Sequence, residues 1–288
     1  MIIHPPLRLA LALLSSLPLL ACGGDTVPAG SESSAADTGK PSLTYHRDVR
    51  AILETKCNTC HVQGAIAPFA LSDFESVTTN AGIAKYALEH NTMPPWPPAA
   101  ECNEYSHDRS LSPTDREILV AYFDGEMAEG DPANYTKPTN TVAPIEPNLT
   151  VKMSSAYTPL VEPDDHRCFI IDWPETETKF LTGYQVVPGK AEVVHHVIVF
   201  KVDAASADDY RAMDEAEAGP GYECFAGPAA SGSDSAAQAA GAMIAAWVPG
   251  APVARFPADS GIRMEPGSLL IMQMHYNTLS ADPVADQT

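Results

Sequence analysis

The stretch AEVVHHVIVF, residues 191–200, decides how the second half of the chain is read. Its β-branched and aromatic side chains predict a strand buried on at least one face. Two imidazoles inside such a run are costly filling, because their nitrogens need partners once buried. Neighbours on a strand point to opposite faces. His195 and His196 can therefore serve one site only if the strand bulges or ends there, or if their rings use different nitrogens. Otherwise a bare His-His pair is one core and one surface histidine. A third imidazole, His275, stands in a similar run, SLLIMQMHYNT (268–278). Three neutral imidazoles make a ligand set for copper or zinc.

Outward from that strand, further short runs recur: HRCFIIDW (166–173), KFLTGYQVVPG (179–189) and MIAAWVPG (243–250). Pro, Gly and Asp break them, which predicts an all-β sandwich over 149–288. The Ala-, Asp- and Gly-rich stretch 203–242 reads as a long excursion with some helix. Met272 and Met274 read as packing residues beside His275. Asp164 and Asp165, in EPDDHRC, read as turn formers, with His166 exposed. Trp96, Trp173 and Trp247 are too scattered for a carbohydrate platform.

The first half has a different pattern. Residues 1–22 read as an export signal, with Arg8 followed by an apolar run from Leu9 to Leu20 that is too short to span a bilayer. The run ends in LLAC, which resembles a lipobox. Cys22 is then the lipidated residue, and the chain is expected to be exported and lipid-anchored in the periplasm, outer membrane or cell surface. An ordinary signal peptide with a chance cysteine is the alternative. Residues 23–42 have almost nothing to bury and read as a flexible tether. A second Pro-rich stretch, GDPANYTKPTNTVAPIEPN, has no periodicity, and 131–148 reads as a linker between domains. With 17 basic against 37 acidic residues, the formal charge is -20 and the pI about 4.6. That balance argues against nucleic acid and against an electrostatic grip on anionic lipid.

Between tether and linker stands CNTCH, Cys57 to His61. The C-x-x-C-H spacing lets two thiols form thioethers to one haem while the next residue ligates its iron. Half a zinc site or a redox pair are the rivals; no second C-x-x-C completes the former. Apolar residues at Val49, Ile52 and Leu53 predict a helix leading into the motif. SPTDREILVAYFDG (112–125) predicts another, with Pro113 near its start and Gly125 past its end. NTMPPWPP (91–98) offers Met93 as the second axial ligand, with His90 and His107 as alternatives, while His46 reads as a solvated surface residue. The segment 43–130 resembles the class I cytochrome c family, which implies a small all-α domain with covalent haem c. Cys102, Cys168 and Cys224 are left over, an odd number for an oxidising compartment. Cys168 with Cys224 is the expected disulfide.

The words GYQVVPGKAEVVHHVIVF, GYECFAGP and AAWVPGAPVARFPADSGIRMEPGSLLIMQMHYNT resemble the N-terminal half of the type II copper, ascorbate-dependent monooxygenases. That family includes the peptidylglycine α-hydroxylating and dopamine β-monooxygenases. The resemblance implies a jelly-roll-like sandwich in which His195, His196 and His275 hold the copper that stores and delivers one electron. It also implies ascorbate or a redox protein as reductant, and a small-molecule or peptide substrate. In the family a following domain carries the oxygen-activating copper, held by an H-x-H pair and a methionine. The residues after His275 contain neither, so a chain cut before that domain is expected. Three functions stay open: a monooxygenase with its own haem donor, a non-enzymatic electron-transfer or copper-binding lipoprotein, and an adhesion module with structural histidines.

Overall fold

The computed structural model describes residues 42–96, 98, 103–105, 107–139, 145–233 and 241–288. The leader with Cys22, nearly all of the tether, and Cys102 lie outside the described residues. Among the described residues no helix is long and apolar enough to cross a membrane.

A π-helical turn, Tyr45–Val49, runs directly into α1, Arg50–Lys56. It is followed by α2 (Phe74–Thr79), α3 (Ala81–Glu89) and α4 (Pro113–Asp124). Local chemistry sets these boundaries. Asp73 and Ser76 form a reciprocal capping box on α2. Ser112 caps α4 by accepting from the Asp115 amide, and Pro113 takes the first turn, where its missing N–H costs nothing. Val49, Leu53, Val77, Leu88, Leu119 and Tyr122 bury together as one core, each side chain contributing about 1.5–3 kcal/mol. His46 is a correction to the sequence reading. It is 8% exposed rather than solvated, with Nε2 3.6 Å from a Glu129 carboxylate oxygen.

The second half is built on a five-stranded antiparallel sheet in the order β5-β1-β9-β4-β6. Its strands are β1 (Asp164–Asp172), β4 (Val194–Val202), β5 (Tyr222–Glu223), β6 (Gly241–Trp247) and β9 (Leu269–Asn277). Two short ribbons pair β2 (Lys179–Leu181) with β8 (Ile262–Met264), and β3 (Gly183–Tyr184) with β7 (Ala254–Arg255). Along β9 the pleat separates two cores. Leu270, Met272, Met274 and Tyr276 pack with Met264, Val194 and Val197 on one face. Leu269 and Ile271 pack with Cys168, Tyr210 and Tyr222 on the other. The arrangement is sandwich-like, and both methionines beside His275 are core residues.

The 203–242 excursion carries α5 (Ala207–Glu215) and β5. The Cys168–Cys224 disulfide ties it to β1. Arg167 adds to that tie through the Gly221 carbonyl (2.7 Å) and Glu217 (2.8 Å). Gly221 has φ +70, and a Cβ there would lie 2.5 Å from the Cys168 carbonyl oxygen, so only glycine closes this turn.

Candidate metal centre

The β4–β9 ladder pairs Val194 with Tyr276 and then His196 with His275. His195 is thus an extra residue, a β-bulge, and the bulge resolves the problem of two adjacent histidines. Val194 and Val197 can both enter the same core, while the two residues between them turn the other way. The structure brings His195, His196 and His275 together, with ligand atoms all within 4.8 Å of one another. Among the described residues this is the only such group. His196 Nδ1 lies 3.4 Å from His195 Nδ1 and 3.2 Å from His275 Nδ1. An ion with metal–nitrogen bonds of about 2.0–2.1 Å in tetrahedral geometry separates its nitrogens by roughly 3.3–3.4 Å. Both spacings about His196 fit nitrogens that share one ion.

Two residues misread in the sequence complete the arrangement. Asp164 lies in β1 rather than in a turn, and its Oδ1 is 2.8 Å from His275 Nε2. Asn277 Nδ2 donates to the same oxygen at 2.8 Å, and its residue pairs with Asp164 across β1–β9. A carboxylate on Nε2 holds the proton there and leaves the Nδ1 lone pair facing the other imidazoles. His166 pairs with His275 across the same ladder and stacks on its ring, with centroids 4.1 Å apart at 10°. The edge of Phe225 packs on His166 in turn. The signal for both was present in D-x-H-x-C, where Asp164, His166 and Cys168 share one strand face. Asp165 is also no turn former. It is 4% exposed and accepts from the Tyr157 hydroxyl (2.7 Å) and the Leu160 amide (2.8 Å).

Electrostatics favour the ligand form. Burial, and then the neighbouring imidazoles, push His196 down to about 4. Burial also lowers His275 and His166. Hydrogen bonds from Asn277, then His275, hold the Asp164 carboxyl below its ordinary range. Two of the three candidate ligands, His196 and His275, are thus held towards the neutral form that metal ligation requires.

The C-x-x-C-H segment follows α1 directly. Cys57 and Cys60 are free and partly buried. Burial pushes the Cys57 thiol up to about 11, which disfavours a low-pKa nucleophilic redox pair. His61 is 9% exposed, and its Nδ1 lies 3.0 Å from the Phe69 carbonyl oxygen. That contact occupies one ring nitrogen and leaves Nε2 for a metal. Met93 is 41% exposed on the loop after α3. Of the alternatives to it, His90 stacks on Tyr86 and bonds that residue's carbonyl at 2.9 Å. His107 is exposed, with φ +59.

No curated protein matches the chain. Residues 149–282 match the family model described as copper type II ascorbate-dependent monooxygenase, N-terminal domain. The three histidines, Asp164 and both disulfide cysteines fall within the match, which supports copper as the ion these imidazoles hold.

Proposed function

We propose that residues 149–288 are the electron-transfer copper half of a type II copper monooxygenase and that residues 43–130 supply its electrons from a covalent haem c. The observation that carries the reading is the convergence of three imidazole nitrogens at the β4 bulge, inside a segment that matches this family. When bound, copper supplies a one-electron Cu(II)/Cu(I) couple at the histidines, and haem an Fe(III)/Fe(II) couple at the cysteines. His195, His196 and His275 hold the copper. Asp164 fixes the His275 tautomer, and His166 braces the ring by stacking.

In this reading Cys57 and Cys60 attach the haem, His61 ligates its iron through Nε2, and Met93 is the second axial ligand. His61 fits that role because its other nitrogen is already engaged. The protein is exported and lipid-anchored through Cys22. Ascorbate or a redox protein reduces it, and the electron goes on to the oxygen-activating copper of a monooxygenase, which acts on a small molecule or peptide.

The test is anaerobic mixing of the haem-reduced protein with Cu(II). The reading expects a haem absorbance typical of two thioethers, and reoxidation by one equivalent of copper. Reduced haem that persists beside bound Cu(II) would contradict it.

A further inference from the structure

The helical segment and the sheet touch at the C-x-x-C-H motif itself. The turn after β6, Val248 to Gly250, lies against Thr59 and Cys60. The Pro249 carbonyl accepts a hydrogen bond from Arg109 Nη1 at 3.0 Å. The same oxygen is 3.7 Å from Cys60 Sγ. Gly250 has φ +74, and a Cβ there would sit 2.5 Å from Thr59 Cβ and 3.1 Å from Arg109 Nη2. Both the backbone conformation and the lack of space demand glycine at this contact. On the sheet side, Trp247 pairs with Val197 in the β4–β6 ladder, and Val197 follows His196 directly. The path from Cys60 to His196 therefore crosses one sulfur–oxygen contact, the backbone from Pro249 to Trp247, one strand pairing and the Val197–His196 peptide.

We infer that the Pro249–Gly250 turn is the built junction that couples the C-x-x-C-H segment to the three-histidine site, so that electron transfer uses this fixed contact and does not await collision across the 131–148 linker. The inference rests on the function proposed above and names its internal route. The step is a one-electron exchange: ferrous haem iron is oxidised to ferric, cupric ion is reduced to cuprous, and no bond or proton changes hands. Arg109, Pro249 and Gly250 are positioning residues, since they hold the junction and touch neither copper nor its ligands.

The test uses the full chain with Gly250→Val, which fills the contact, and with Arg109→Ala and Arg109→Lys, which alter it from the other side. Haem-to-copper transfer is timed anaerobically, and amide hydrogen exchange of residues 57–62 and 247–251 is followed in the metal-free chain. Gly250→Val should slow transfer roughly 10- to 100-fold, as small misplacements of reacting partners do. It should raise exchange in both segments together, with haem spectrum and copper content unchanged. Arg109→Lys should recover part of the rate lost in Arg109→Ala. If Gly250→Val does not fold, the two Arg109 variants decide the matter. Transfer within twofold of the unmodified protein in the loaded variants, or unchanged exchange in the metal-free ones, overturns the junction alone. A chain whose cysteines carry no thioether-linked haem, seen in the denatured spectrum before any kinetics, overturns the haem reading and the junction with it.

Discussion

Replacing Asp164 with alanine removes the carboxylate that faces His275 Nε2 at 2.8 Å and leaves the three histidines in place. The imidazole then loses its charge-assisted partner and becomes free to carry its proton on Nδ1, the nitrogen that must bind the ion. Loss of such an outer partner typically costs 10- to 100-fold in metal affinity, or about 1.4–2.7 kcal/mol. The Asp164 side chain is 47% exposed, so water takes over part of the hydrogen bond and the loss should fall near the lower end, about tenfold. Asp164→Asn keeps an acceptor oxygen without the charge and should lose less. Competition of the metal-free protein with a chromophoric Cu(I) chelator at neutral pH measures both. Thermal melting without metal serves as the control, because an exposed strand-end side chain contributes little to the fold. Copper affinity within twofold of the unmodified protein in Asp164→Ala would refute the tautomer argument.

Two further outcomes follow from the same structure. The Cys168–Cys224 bridge closes a 56-residue separation, for which loop-closure entropy gives about 4 kcal/mol; the double Cys→Ser variant should unfold at clearly lower denaturant, and an unchanged midpoint would sink this assignment of stability. The metal-free protein should lose stability as pH falls from about 6.5, the ordinary imidazole value, towards 4, where His196 takes up its proton. The sign follows from the lowered folded-state values of His196, His275 and His166: the unfolded chain binds protons first, so stability rises with pH in this window. Melting temperatures of His196→Ala should fall less steeply over the same range, and equal slopes would count against the explanation.

The local parts of this site were legible in the sequence, and the non-local parts were not. His195, His196 and His275 stood out because imidazoles are rare in apolar strands, and the two-residue period of a strand left a bulge, a strand end or different ring nitrogens as the ways for both neighbours to reach one site. The structure places that bulge at His195. Asp164 and His166 were misread because a D-D pair after proline has the local chemistry of a turn. Only the pairing of β1 with β9, which joins residues more than a hundred positions apart, puts them beside His275. The helix boundaries at Ser112, Pro113 and Gly125 were readable because capping is local. The burial of His46 was not, since its ring and its amide both meet Glu129, from much later in the chain.

The most direct measurement is copper content and X-ray absorption of the reconstituted protein, with His275→Ala alongside. One copper per chain, surrounded by imidazole nitrogens and lost or much weakened in His275→Ala, is the result expected. Copper that does not bind, or binds unchanged without His275, would contradict the assignment of these three histidines as a metal centre.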